Sequence, residues 1–423
     1  MSVSPSGMDL VLEPPPPWAV AVDSDNAIRR ATLESFGLDP SRPVVVVGHQ
    51  PIMWHPGILA KFLVADAMVQ KCNGQLVHLV LDGHRGEFGS VRWPRTGEDG
   101  TISVAEWTYR EVEPDVPMRL QPACAPCDVP EDSGTMLRSI HDALHAACGE
   151  ADAALQHAAA LNSLMDCIVG PRTTVMASDV VTSPVGTELL DRMRDDAEAG
   201  RSQYNAAAAV NPHAGIASLG SGDLPLWIAN EHRQLRTAHI RDQVESRQFP
   251  KALLLTAMAR TGLADVFVHG TGGAAYDGMM ESWLGSWLQR RCCPMVVASA
   301  SLRLPLGTKE AWEALRRKRI AQVRRQRHDP SLLLGGGLSQ DKTAMLEQID
   351  AMPAKSSARR HAYLSMHEQL SAHPAAADGV LSKAERDRLD QSVLAAASRT
   401  WPFPLFAESE IQSLRDAVHQ RIT

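Results

Sequence analysis

A chain of 423 residues exceeds the roughly 100 to 200 of an ordinary domain, so a large core with a smaller companion is expected. With 44% hydrophobic residues, 22% charged residues and a formal net charge of -7, the composition excludes a disordered chain and speaks against a general nucleic-acid binder. No apolar run approaches the roughly 18 residues of a membrane span, no basic start precedes an apolar core, and seven cysteines with a vicinal pair at Cys292 and Cys293 do not suit a secreted disulfide framework; a cytoplasmic chain with reduced thiols is expected.

Residues 1–43 read as an N-terminal arm, extended through Pro14 to Pro17, and a first helix. Valines 44 to 47 are too short and too β-branched for a helix and predict a strand buried on both faces. From Pro56 to Lys71 the residues Ile58, Leu59, Phe62, Leu63, Ala65, Met68 and Val69 recur at helical spacing, and "LVHLVLD" (76–82) is the next strand. Strand, turn, helix and strand over about forty residues make a βαβ unit and hence a parallel sheet. Residues 131–168, a helical insertion, and 186–209 are alanine-rich and helix-prone. "TTVMASDVV" (173–181), "LPLWIAN" (224–230) and "ALLLTAMA" (252–259) are further apolar segments, the last equally compatible with a helix. The strand, turn and helix grammar returns in residues 264–291, followed by the strand "PMVVASAS" (294–301). Beyond Gly307 the segments 309–328, 340–372, 382–399 and 408–421 are helical and charged, which predicts an α-helical region over 308–423 appended to an α/β core over 44–307.

In open parallel sheets, ligands bind beyond the carboxyl ends of the strands, where the turn into the next helix presents free N–H groups. Gly48, His49, Gln50, His55 and Gly57 occupy such a turn, with Lys61 one helical turn further on. Gly48 would permit unusual dihedrals, His49 and His55 would stabilise phosphate charge, Gln50 would orient a ligand and Lys61 would reach back as a cation; the alternative is that His55 caps the helix and His49 is a hydrogen-bonded core group. Asp82, His84 and Arg85 follow the second strand at the same sheet edge. Asp82 would hold a ribose hydroxyl, a substrate amine or a metal, and Arg85 an anion, or the segment is a solvated charged turn. His269, Gly270, Thr271, Gly272 and Gly273 form a glycine-rich turn suited to gripping an anion, or to tight helix packing, and Tyr276 and Asp277 open the helix behind it.

Three other patterns carry less. Cys124, Cys127, His141 and His145 imitate zinc-finger spacing without the usual hairpin and aromatic residue. "GGGLSQDKT" (335–343) imitates a P-loop, but Asp341 stands where a glycine is required. The basic helix from Lys309 to Arg327, rich in arginine, has no aromatic residues alternating with the charges and reads as solvated or partner-facing.

"GHQPIMWHPG" after the valine strand, "FVHGTGGAAYD" and "ASLRLPL" together resemble the cysteine-adding enzymes of bacillithiol biosynthesis and their bacterial relatives. The first segment is also similar to bacterial proteins with an HQP signature found in sugar and antigen biosynthesis loci. The cysteine-adding enzymes carry Gly-Gln-Gln where this chain has Gly48, His49 and Gln50. The resemblance implies a Rossmann-like, nucleotidyltransferase-like core, a coiled-coil-like C-terminal region that supports a homodimer, and ATP or another nucleotide in the core. The expected activity is ATP-dependent ligation or nucleotidyl transfer on a small-molecule substrate. His49, His55 and Asp82 would act catalytically, Asp82 by orienting the acceptor or a Mg2+ ion. The rival expectation is a non-catalytic dimeric scaffold with a vestigial core.

Overall fold

The computed structural model describes residues 8–242, 247–328, 337–372 and 383–422. It divides into two compact units: the first comprises residues up to Trp93, Glu106–Leu304 and the chain from Arg399, and the second comprises Pro94–Ala105 and Pro305–Ser398. The core therefore ends three residues before Gly307. Residues from Arg399 onward, expected with the helical region, belong to the first unit.

In chain order the elements are β1 (Asp9–Glu13), α1 (Ala27–Ser35), β2 (Val44–His49), α2 (Pro56–Cys72), β3 (Gln75–Val80), β4 (Ser90–Thr96) and β5 (Ile102–Thr108). There follow α3 (Arg138–Ala146), α4 (Ala153–Met165), β6 (Arg172–Met176), α5 (Ala177–Val181), α6 (Pro184–Asp195), α7 (Ala197–Val210), β7 (Asp223–Ala229), β8 (Leu235–His239) and β9 (Gln248–Pro250). Next come α8 (Ala252–Met258), β10 (Val266–His269), α9 (Thr271–Leu288) and β11 (Met295–Ser301). The second unit holds α10 (Lys309–His328), α11 (Gly337–Asp350), α12 (Ser357–Ala372) and α13 (Lys383–Ala397), and α14 (Glu408–Ile422) closes the described chain.

The first unit is built on a mostly parallel six-stranded sheet in the order β1-β11-β10-β2-β3-β6, in which only β1 runs antiparallel. Part of the expected arm is thus an edge strand, with Asp9 opposite Ser301. The segment 224–230 does not join this sheet: β7 pairs with β8 and β9 in a separate antiparallel sheet. Strand order reverses at β2, whose successors β3 and β6 lie on one side and β10 and β11 on the other. Such a reversal splays the connecting chains apart and opens a crevice at the carboxyl ends of the two adjoining strands.

Alternation along β2 sends Val44 and Val46 into a core shared with Leu33, Leu189, Met258 and Trp283, while Val45 and Val47 face the side covered by α2. Helix α2 starts cleanly because His55 is its N-cap and Pro56 occupies a first-turn position that needs no N–H partner; it stops at Asn73, whose φ of 51° is left-handed. Its residues Leu59, Phe62, Leu63 and Val64 are all sealed from solvent, because α14 packs on the side away from the sheet. Lys71 ties the two helices together by donating from Nζ to the carbonyl of Ile422 at 3.0 Å.

In the second unit, Ile349, Met366 and Leu370 form a small core, and on α10 Lys309 pairs with Glu313, Arg316 with Asp390 and Arg319 with Glu385. The side chain of Arg327 and the glycines Gly335 and Gly336 of the P-loop imitation lie outside the described residues. Among the described residues no helix is long and apolar enough to cross a membrane.

Candidate functional site

At the β2/β10 crevice lies a cavity of about 380 Å³. Gly48, His49 and Gln50 come from the end of β2, His55, Gly57 and Lys61 from the start of α2, and His269, Gly270, Thr271, Gly272, Gly273 and Tyr276 from the end of β10 and the start of α9. Two of the three predicted turns therefore converge, separated by more than two hundred residues in sequence. Pairing explains it: Val268 sits opposite Val47, which sets His269 beside Gly48.

Lys61 crosses under the cavity, 2% exposed, and donates from Nζ to the carbonyl of Gly48 at 2.8 Å. Among the described residues no Asp or Glu lines the cavity, and burial pulls the Lys61 pKa down to about 7. The histidines are held neutral as well. Burial, then the charge of Lys61, sets His49 well below its ordinary value; burial and Lys61 bring His269 to about 3; burial, Arg399 and Lys61 lower His55. Each ring has a defined tautomer. His49 Nδ1 lies 3.1 Å from the Gln50 carbonyl, which can only accept, so Nδ1 carries the proton and Nε2 the lone pair. His269 Nδ1 accepts from the N–H of Gly270 at 3.2 Å, which leaves the proton on Nε2, a buried atom without a partner.

The two helix starts differ. At α2, Gly57 donates to His55 Nδ1 at 3.1 Å and Ile58 to the His55 carbonyl at 2.9 Å, while Pro56 has no N–H, so this end is closed to an anion. His55 is thus a helix cap that also lines the cavity. At α9, Thr271 and Gly272 are the first helical residues and have no carbonyl four residues back to bond, so their amides remain open. The glycines do not supply unusual dihedrals. Gly48 lies within β2 with its nearest neighbour 3.5 Å from where a Cβ would stand, and Gly270 has φ −88°. Gly273 is required for another reason, since a Cβ there would lie 1.6 Å from Cε1 of His269.

Four predicted residues stand outside the cavity lining. Asp82 is fully buried behind it, accepting from the Ser178 amide at 3.0 Å and from the Ser178 hydroxyl, with Arg119 at 3.5 Å; burial raises its pKa to about 6. His84 is partly buried, and Arg85 is exposed above Trp227. Asp277 is buried facing Arg260 at 3.4 Å. Alternation and helix periodicity turn these side chains away from the crevice although their neighbours Leu81 and Tyr276 face it. Sequence reasoning missed the apolar wall of Leu79, Leu81, Leu255 and Phe267 and the hydroxyls of Thr256 and Ser299; nothing in those residue types separates them from ordinary core.

Cys124 and Cys127 are held in a loop whose Cys124 carbonyl accepts from Gln156, and His141 bonds Asp142. Among the described residues no three His, Cys, Asp or Glu side chains gather in a metal-holding group.

No family model matches this chain, and no curated protein matches it in sequence.

Proposed function

We propose that this chain is an enzyme whose first unit binds a nucleotide or phosphorylated metabolite in the crevice between β2 and β10. The observation that carries this reading is a buried lysine and an open helix start facing one ligand-sized cavity that, among the described residues, no carboxylate lines. An arriving phosphate finds the amides of Thr271 and Gly272, the Nε2–H of His269 and the ammonium form of Lys61. The apolar wall suits the base or carbon skeleton.

The strand order about β2 supports a Rossmann-like, nucleotidyltransferase-like core, and the resemblance to cysteine-adding enzymes supports ATP-dependent ligation or nucleotidyl transfer. Bound ATP would supply an activated phosphoryl group. Lys61 and the α9 amides would neutralise it, and His49 Nε2 would take a proton from the acceptor. Among the described residues the lining offers no carboxylate to a magnesium ion, and Asp82, buried outside the lining, has no part in this reading as a metal ligand.

Calorimetric titration and thermal shift with ATP, AMP and inorganic phosphate test the proposal. Wild-type protein should be stabilised, whereas Lys61→Met and His49→Ala should fold and lose the effect, by at least about tenfold in affinity. Unchanged affinity in both variants would refute it. The rival scaffold reading draws on the exposed Leu315, Tyr363, Leu364 and Leu394, all on the helices of the second unit and available to a coiled-coil-like homodimer contact. Failure of every ligand to stabilise the protein would favour that reading.

A further inference from the structure

Among the described residues the cavity is lined by one amine and no carboxylic acid. A buried ammonium is ordinarily paired with a carboxylate, because an unpaired charge taken out of water loses its hydration without compensation. Among the described residues Lys61 has only the Gly48 carbonyl, an acceptor satisfied equally by a neutral amine. Apolar side chains from β3, α8 and β10, with Gln50 and the hydroxyls of Thr256, Tyr276 and Ser299, complete the cavity, and the titratable groups about it are the neutral rings of His49, His55, His78 and His269 and the phenol of Tyr276. A neutral amine carries a lone pair. Placed beside an anion-binding helix start, it is more than a counter-charge.

We propose that Lys61 condenses with an anionic aldehyde or ketone, phosphorylated or carboxylated, to form an iminium adduct in this cavity. The inference rests on the anion-binding reading of the site and adds a covalent activity to it. A carbonyl carbon suits a neutral amine as its electrophile, since loss of water leaves a C=N bond and calls for no metal. A desolvated lysine in an apolar pocket is the activated form of this nucleophile.

The two histidines that face Lys61 have the protonation states the condensation needs. The Nζ lone pair forms a bond to the carbonyl carbon, the C=O π pair moves to oxygen, and that oxygen takes the proton from His269 Nε2. Nζ releases a proton to His49 Nε2. The carbinolamine oxygen then takes a second proton, from His49, and leaves as water with the C–O bonding pair. The nitrogen lone pair forms C=N, and the resulting iminium keeps one proton on Nζ. The proton that His269 gave up is replaced from solvent through the open mouth of the cavity, so the sum is amine, carbonyl and one proton giving iminium and water. The ligand's own phosphate or carboxylate rests on the amides of Thr271 and Gly272.

The test uses the full-length chain with pyridoxal 5′-phosphate, and separately with pyruvate, each in the presence of sodium cyanoborohydride, followed by peptide mass spectrometry. The expected result is a reduced adduct on Lys61 that inorganic phosphate suppresses and that Lys61→Arg, which keeps a cation, abolishes. Labelling with both probes confined to exposed lysines such as Lys309 overturns the inference. Thermal shift with inorganic phosphate on the same sample separates the two claims. Stabilisation by phosphate with Lys61 unmodified ends the covalent inference and leaves the binding site standing; neither stabilisation nor a Lys61 adduct ends both.

Discussion

Lys61 carries a cost that pH can expose. Its folded-state pKa is about 7 against 10.5 for the free side chain, so between those values the unfolded chain holds the extra proton. Stability therefore rises with pH from about 7 to 10.5, and below about 7 the full penalty is present. The histidines around it are also lowered, which makes stability rise with pH as well, but only below their ordinary value of 6.5. Partly buried Cys72, Cys292 and Cys293, whose thiols are raised, and Lys251, which is lowered, also titrate toward pH 10, so it is the difference in urea unfolding between wild type and Lys61→Met from pH 7 to 10 that isolates the lysine. Lys61→Met should be more stable than wild type by about 1 to 4 kcal/mol at neutral pH, with the gap closing as pH approaches 10. Parallel pH profiles for the two proteins would show that the amine is solvated. Lys61 was legible in the sequence as a residue able to reach back to the turn; its missing counter-ion was not, since that depends on which side chains the fold leaves nearby. Asp82 shows the same limit. Its place at the strand end was readable, but Ser178, which holds it, lies 96 residues away.

The glycine-rich turn and the helix behind it are separable by substitution. A Cβ at Gly273 would overlap the His269 ring, so Gly273→Ala must displace either the ring or the first turn of α9, a clash that costs about 1 to 3 kcal/mol. Gly278, on the same helix, has open space where its Cβ would stand. Gly278→Ala should raise stability by about 0.5 to 1 kcal/mol through helix propensity alone. If the two variants melt alike, His269 is not packed across the helix start. The turn was readable as glycine-rich, yet the reason for its glycines was not. Backbone freedom was the expectation, and a ring seated on the first turn is the fact. Element boundaries followed chemistry that is local: His55 and Pro56 at the head of α2, the valines of β2, and the helical spacing between them. Strand β1 reads as arm in the sequence, because five residues that end at Pro14 become a strand only where β11 offers an edge. The apolar residues of α2 occupy nearly its whole circumference, the mark of a helix covered on two sides. That pattern was the available signal that a distant segment must return to cover it.

At the scale of the chain, the returning segment decides what the first unit needs in order to fold. From sequence, everything after Gly307 is a helical region appended to the core. The structure assigns the segment from Arg399 onward to the core unit itself. Leu414 and Val418 are fully buried, Trp401, Phe403, Ile411 and Ile422 nearly so, and the Phe403 amide donates to the carbonyl of Trp54 at 2.6 Å, in the loop that carries His49 and His55. Six large apolar side chains at about 1.5 to 3 kcal/mol each amount to on the order of 10 kcal/mol as an upper estimate, comparable to the net stability of a whole domain. A chain ending at Ser398 should therefore expose the outer face of α2, lose phosphate binding and either aggregate or unfold at a markedly lower urea midpoint. Co-expression of residues 399–423 as a separate segment should restore both properties, because the lost interactions are packing contacts that do not require a continuous chain. A chain ending at Ser398 with unchanged urea midpoint and phosphate affinity would show that α2 is held by the sheet alone, and the turn bearing His49 and Lys61 would then owe nothing to the C-terminal segment.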